Sequence, residues 1–307
     1  MFKPILPLSK ISGWNVQQTP TATAAHTVLC EIQPGPRFHN ILITGNAGTA
    51  KKMTDLIGDI RVICDDEVVR LHSATELNAK SVLYGPIWAA DNGNLAAGTF
   101  QLPIFFSEPW RKDTLTGDKL AWNTRNLRNF RIEVDIKATT YDTAVALGFQ
   151  GEGDYAPLDS DAPGKMGLIV KCDRTTLNLA TGWNDVMSFP RSGVYQEINL
   201  VSTAITDIEI RQGQGGIIMG PLSLAQLRAR QKHRDMEPLY RAATSPATTT
   251  IGGTDHAATR GMTDIVFDAD DRPVSGLVSD PSKDFNVRLN ISAGANVVAL
   301  YNRLAPL

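Results

Sequence analysis

Phe130–Ile136 (FRIEVDI) and Phe285–Ile291 (FNVRLNI) alternate apolar and polar residues without a break. That is the period of a β-strand which buries one face and wets the other. The surroundings of the two strings also match, in the same order. Downstream, Ala144–Leu147 (AVAL) returns as Val297–Leu300 (VVAL). Upstream, Asp59–Val62 (DIRV) answers to Asp207–Ile210 (DIEI), and each is followed by a turn and a helical stretch, Thr75–Leu83 and Ser223–Met236. Earlier still, Leu29–Leu42 (LCEIQPGPRFHNIL) parallels Val186–Leu200 (VMSFPRSGVYQEINL), each an apolar segment, a Pro/Gly turn and a second alternating segment. A repeat this long means duplicated domains rather than a solenoid, whose units run roughly 20 to 50 residues.

A chain of 307 residues is the right length for two domains. Turn residues punctuate it densely, as at Pro34-Gly35-Pro36, Asp91-Asn92-Gly93-Asn94 and Gly252-Gly253. Short alternating segments between turns predict an all-β architecture. About eight strand candidates and one short helix per half suit two tandem eight-stranded jelly rolls, a double jelly roll; an immunoglobulin-like sandwich uses about seven. The stretch from Gly151 to Lys165 (GEGDYAPLDSDAPGK) is rich in Gly, Pro and Asp. It sets the expected bounds: first jelly roll 1–152, linker 153–165, second jelly roll 166–307.

Composition narrows the function. Hydrophobic residues at 42% with 20% charged describe a globular chain with sizeable cores. A net charge of -2 and a pI near 6.2 lack the basic footprint of a nucleic-acid grip, so direct nucleic-acid binding is not expected. Cys30, Cys64 and Cys172 are scattered and read as buried free thiols rather than a disulfide framework or zinc site. The N-terminus (MFKPILPLSK) is too short and proline-broken for a signal peptide, and no apolar run is long enough to span a bilayer.

No catalytic set assembles. Gly45–Lys52 (GNAGTAKK) lacks the glycine spacing and the hydroxyl residue of a phosphate loop and reads as a hairpin turn. His233-Arg234-Asp235 lacks the metal-binding partners of a kinase loop. His26, His39, His72, His233 and His256 are far apart and form no HxH pair of the kind that holds a cupin metal. The acidic turn Asp268, Asp270 and Asp271 (FDADDRP), and Asp159 with Asp161, offer hard oxygens of the sort calcium prefers. They read as solvated turn carboxylates, with a structural calcium as the alternative. Arg228, Arg230, Lys232, His233 and Arg234 on the second helical stretch read as a solvated face or as salt bridges within an assembly, with lipid head groups or an acidic neighbour as the alternative. Trp14, Trp88, Trp110, Trp122 and Trp183 are spread out and read as core anchors.

Four strings, Ile32–His39 (IQPGPRFH), Met53–Val62 (MTDLIGDIRV), Leu102–Lys112 (LPIFFSEPWRK) and Leu120–Ile136 (LAWNTRNLRNFRIEVDI), together resemble the major capsid proteins of corticovirus-like tailless icosahedral bacteriophages with an internal membrane, of the double jelly-roll lineage. The resemblance covers the first half; the second follows it through the repeat. It implies a structural, non-catalytic coat subunit that associates as a homotrimer, so that two similar domains per chain give a pseudo-hexagonal tile. It also implies lattice neighbours, vertex or minor capsid proteins, assembly in the host bacterial cytoplasm, and no required cofactor. In such virions N-terminal residues approach the membrane, which makes Phe2 and Lys3 membrane-proximal candidates beside ordinary packing on the first sheet. The alternative function is a viral spike or carbohydrate- or receptor-binding jelly roll.

Overall fold

The structure, a computed structural model, describes residues 5–6, 16–18, 25–46, 52–83, 99–108, 120–137, 145–154, 168–213, 216–227, 262–267 and 276–306. The chain divides into two compact units. The first is Met1–Val82 with Pro86–Val170 and Pro306–Leu307; the second is Lys171–Ala305 with Leu83–Gly85. Of the segment read as linker, Gly153 and Asp154 end a strand and 155–165 lie outside the described residues.

In the first unit one sheet runs β3 (His26–Ile32), β9 (Phe130–Ile136), β5 (Ile57–Cys64), β6 (Glu67–Ser73). The other runs β10 (Val145–Asp154), β4 (Arg37–Asn46), β7 (Thr99–Phe105). β1 (Ile5–Leu6) and β2 (Val16–Gln18) pair with β10, and β8 (Trp122–Asn123) with β4. The second unit repeats this order. One sheet is β12 (Gly182–Val186), β18 (Phe285–Ile291), β14 (Ile205–Gln212), β15 (Ile217–Ser223). The other is β11 (Leu168–Leu179), β19 (Ala295–Pro306), β13 (Val194–Val201), β16 (Met262–Val266), with β17 (Leu277–Val278) on β13. Two facing antiparallel sheets in this order make each unit a jelly roll.

The alternation that opened the sequence reading becomes packing. Along β9 the apolar positions Phe130, Ile132, Val134 and Ile136 are buried and the polar ones between them are not. They join Phe38, Ile41, Ile43, Trp122 and Phe149 in the first core. Phe285, Val287, Leu289 and Ile291 of β18 join Tyr195, Ile198, Leu200 and Ile208 in the second. Burying side chains of this size contributes about 1.5–3 kcal/mol each before the entropy of ordering them is set against it.

The duplication reaches single hydrogen bonds. Each central strand carries a β-bulge at the matching place, His39 in β4 and Gln196 in β13. There Phe106 N–H donates to His39 O (2.8 Å), as Phe267 N–H does to Gln196 O (3.0 Å). Lys137 N–H reaches Leu56 O as Ser292 N–H reaches Ala204 O, both at 2.8 Å. The helical stretches open on the same reciprocal cap. Ser73 and Glu76 exchange side-chain and backbone bonds (2.7 and 3.2 Å), as do Ser223 and Gln226 (2.9 and 3.3 Å). The first helix is α2 (Ala74–Leu83); of the second, residues 224–227 are described and helical. The structure adds a single turn not expected from sequence, α1 (Met53–Leu56), leading into β5.

Candidate functional surfaces

The residues nominated from sequence as ligands or lipid contacts lie outside the described residues: Asp268, Asp270 and Asp271, Asp159 and Asp161, Phe2 and Lys3, and the basic run Arg228 to Arg234. Among the described residues no group of three or more His, Cys, Asp or Glu is arranged to hold a metal, and no helix is long and apolar enough to cross a membrane.

Cys30, Cys64 and Cys172 are buried and outside any disulfide. Burial, with Glu31 nearby, pushes the Cys30 thiol up to about 12, far from a nucleophilic thiolate. His39 sits buried at its bulge and His72 buried in β6. Gly45, the first residue of the rejected phosphate-loop string, lies inside β4 opposite Phe100 and Leu147. A Cβ there would come within 2.4 Å of Phe100 Cζ, so the glycine serves close packing within the strand rather than phosphate binding. Residues 47–51 of that string are outside the described residues.

Trp14, Trp88 and Trp110 lie outside the described residues, and the other two tryptophans divide. Trp122 is fully buried, its ring 4.4 Å from Phe106 and 4.7 Å from the Arg70 guanidinium. Arg70 is itself buried, donating from Nε to Val170 O (2.9 Å) and also to Phe105 O. Trp183 corrects the expectation of a core anchor. It is 43% exposed on β12, because its strand position points away from the core, and it carries the Arg288 guanidinium 5.2 Å above its ring.

The outward face of each β9-type sheet carries a charge ladder. In the first unit Arg61 Nε lies 3.0 Å from Glu133, its terminal nitrogens grip Asp135, and Arg131 joins Glu133 and Asp66. Hydrogen bonding from Arg61 holds Asp135 below the usual carboxylate range against the opposing pull of desolvation. In the second unit Glu209 accepts from Arg211 (2.6 Å) and Arg288 (2.8 Å), and the Arg211 bond leads in lowering its pKa. A shallow depression of about 470 Å³ at the edge of the first ladder is lined by Thr27, Gly58, Asp59, Asp135 and Lys137. Thr27 donates to Asp135 and Lys137 Nζ to Thr54 O, so these polar groups serve the fold. The second unit also holds a buried amide–carboxylate group. Asn199 Nδ2 donates to Asp264 (2.8 Å) and to Glu197, and Asn302 Nδ2 donates to Glu197 (2.6 Å).

Residues 15–150 match the family model described as the viral coat protein P2 N-terminal domain. All four strings that carried the sequence resemblance fall within that span, and the resemblance is borne out there. Comparison with curated proteins returned no match. Among solved structures, the major capsid protein P2 from bacteriophage PM2 is similar over 100% of this chain and 98% of its own, at 14% identity and TM-score 0.73. The STIV major capsid protein is similar over 95% and 96%, at 12% identity and TM-score 0.63. The PBCV-1 virus capsid protein is similar over 100% and 95%, at 10% identity and TM-score 0.61. At these identities the shared property is the fold, a double jelly roll along the whole chain.

Proposed function

We propose that this chain is a major capsid protein, a structural and non-catalytic subunit that builds the shell of an icosahedral virus. The observation that carries this reading is the tandem jelly roll, repeated down to bulge and cap and similar over its whole length to capsid subunits. The spike or carbohydrate-binding alternative is not favoured by these likenesses.

In the finer reading, the chain associates as a homotrimer whose six jelly rolls approximate a hexagonal tile, since two similar domains per subunit turn threefold into near-sixfold symmetry. The tiles meet lattice neighbours and vertex or minor capsid proteins over an internal membrane, which Phe2 and Lys3 approach. Synthesis and assembly take place in the host bacterial cytoplasm. Asp268, Asp270 and Asp271 remain solvated turn carboxylates, with structural calcium as the alternative occupant.

Light scattering and electron microscopy of the purified protein test the reading. Stable trimers that tile into hexagonal sheets or shells support it, and the trimer contacts should exceed the roughly 1,600 Å² of a standard interface. A monomer at micromolar concentration with no lattice would sink it.

A further inference from the structure

Two homologous units in one chain create a hazard. Strands of one unit fit the sheets of the other, within a chain or between copies, and tandem repeats misassemble by this route. Here the backbones offer little resistance. The strand orders are the same, the bulges at His39 and Gln196 fall at the same register, and β5 meets β9 in the register in which β14 meets β18, so a hybrid ladder across these pairs would meet no offset.

The side chains do resist, at matching positions on both sheets. β5 sets Arg61 opposite Glu133 of β9, while β14 sets Glu209 opposite Arg288 of β18. The residue types have changed places. A hybrid of β9 with β14 would put Glu133 against Glu209, and one of β5 with β18 would put Arg61 against Arg288. The second sheet repeats the device. β4 sets Asn40 opposite Glu152 of β10, with Asn40 Nδ2 donating to the carboxylate. β13 sets Glu197 opposite Asn302 of β19, with Asn302 Nδ2 donating at 2.6 Å. A hybrid of β10 with β13 would bring two carboxylates together at a buried position, since Glu197 is only 5% exposed. Like charges directly opposite in a sheet are destabilising, and burial sharpens the penalty.

We propose that these exchanged pairs, Arg61/Glu133 against Glu209/Arg288 and Asn40/Glu152 against Glu197/Asn302, are an identity code that keeps the strands of each jelly roll from pairing into the other. The code acts through repulsion in the wrong partner, the usual source of discrimination between near-identical interfaces. It works during folding of the subunit and is independent of what the finished subunit builds.

The amide–carboxylate pair gives the cleaner test. In the full-length chain, Asn40→Glu with Glu152→Asn gives the first unit the sense of the second, leaving each native pair intact while making every hybrid pair on that sheet complementary. Glu197→Asn with Asn302→Glu does the same from the other side. Combining all four substitutions restores the difference between units. Refolding from urea over a range of protein concentrations, read by size-exclusion chromatography with light scattering, follows recovery of the native subunit and formation of strand-exchanged multimers. Recovery from either two-substitution variant should fall about two- to fivefold, the range set by one cross-strand charge pair, and recover in the four-substitution protein. Unchanged recovery in both two-substitution variants would overturn the proposal. So would a further loss in the four-substitution protein, because purely local damage accumulates where a code cancels.

Discussion

Asp65 and Gly213 hold the same backbone position in their two units. Each has a left-handed φ, +47° and +69°, and each donates its N–H to the residue preceding the central strand, Asn129 O at 3.1 Å and Asp284 O at 2.8 Å. The first unit tolerates a side chain there because Asp65 Oδ1 accepts from Arg128 N–H (2.7 Å) and Asn129 N–H (3.1 Å). Glycine in the second unit needs no such compensation. Gly213→Ala should therefore destabilise by about 1 kcal/mol. Asp65→Gly should also destabilise, through loss of the two accepted bonds, while Asp65→Asn should be nearly silent. Urea midpoints of the three variants check this, and a stabilised Asp65→Gly would contradict it.

Acid should weaken the first ladder in a defined window. Arg61 lowers the folded-state pKa of Asp135 from its ordinary 3.8, so the folded chain binds fewer protons than the unfolded one near that pH. The stabilisation is complete above about pH 5 and is lost as pH falls through 3.8 and then through the depressed value. Arg61→Met should cost about 1 kcal/mol at neutral pH, a modest figure because both side chains remain partly exposed. It should also flatten the stability curve below pH 4. An Arg61→Met protein whose acid limb overlays that of the parent would show that Asp135 does not report this pair.

The cation under Trp122 should not accept a lysine. Arg70→Lys removes the planar group that lies against the Trp122 and Phe106 rings and cannot keep the same pair of carbonyl bonds from β6. We expect a loss of about 2 kcal/mol by chemical denaturation. Trp122→Ala, which empties the site above it, should lose about 3–5 kcal/mol.

The thiols should be silent until the chain unfolds. With Cys30 raised to about 12 and all three residues buried, a thiol reagent at pH 8 should label the native protein slowly and the denatured protein at all three positions. Fast labelling of a native thiol would place it at an opening the fold does not describe.

Removing a cap should loosen each helix start to a similar degree. Ser73→Ala and Ser223→Ala each delete an acceptor for a first-turn N–H and should cost about 1 kcal/mol, seen as a lowered melting temperature and faster amide exchange at Glu76 or Gln226.

What could be read from the residues follows their physics. β9 and β18 were legible to the residue because every position alternates, whereas the two helices were read only as stretches from Thr75 and Ser223, and their reciprocal caps emerge from the structure. β10 was legible only at its start. It continues to Asp154, but Gly148, Gly151 and Gly153 carry no side chain to mark a face. α1 is one turn long, too short for a helical period to register. The exposure of Trp183 depends on which face of β12 meets the core, which residue type alone does not give. The exchanged charge pairs were invisible for a related reason: Arg61 and Glu133 become neighbours only once register is known, and register belongs to two strands together. The acidic turn at Asp268, Asp270 and Asp271 was nominated by composition and lies outside the described residues.

The bulges at His39 and Gln196 also decide which side chains of their strands face inward. The extra residue shifts the side-chain alternation by one position, so Phe38 and Ile41 of β4, three residues apart, both face inward, as do Tyr195 and Ile198 of β13. Deleting His39 or Gln196 would turn the rest of its strand inside out, so a shortened strand, unlike a substituted one, should fail to fold.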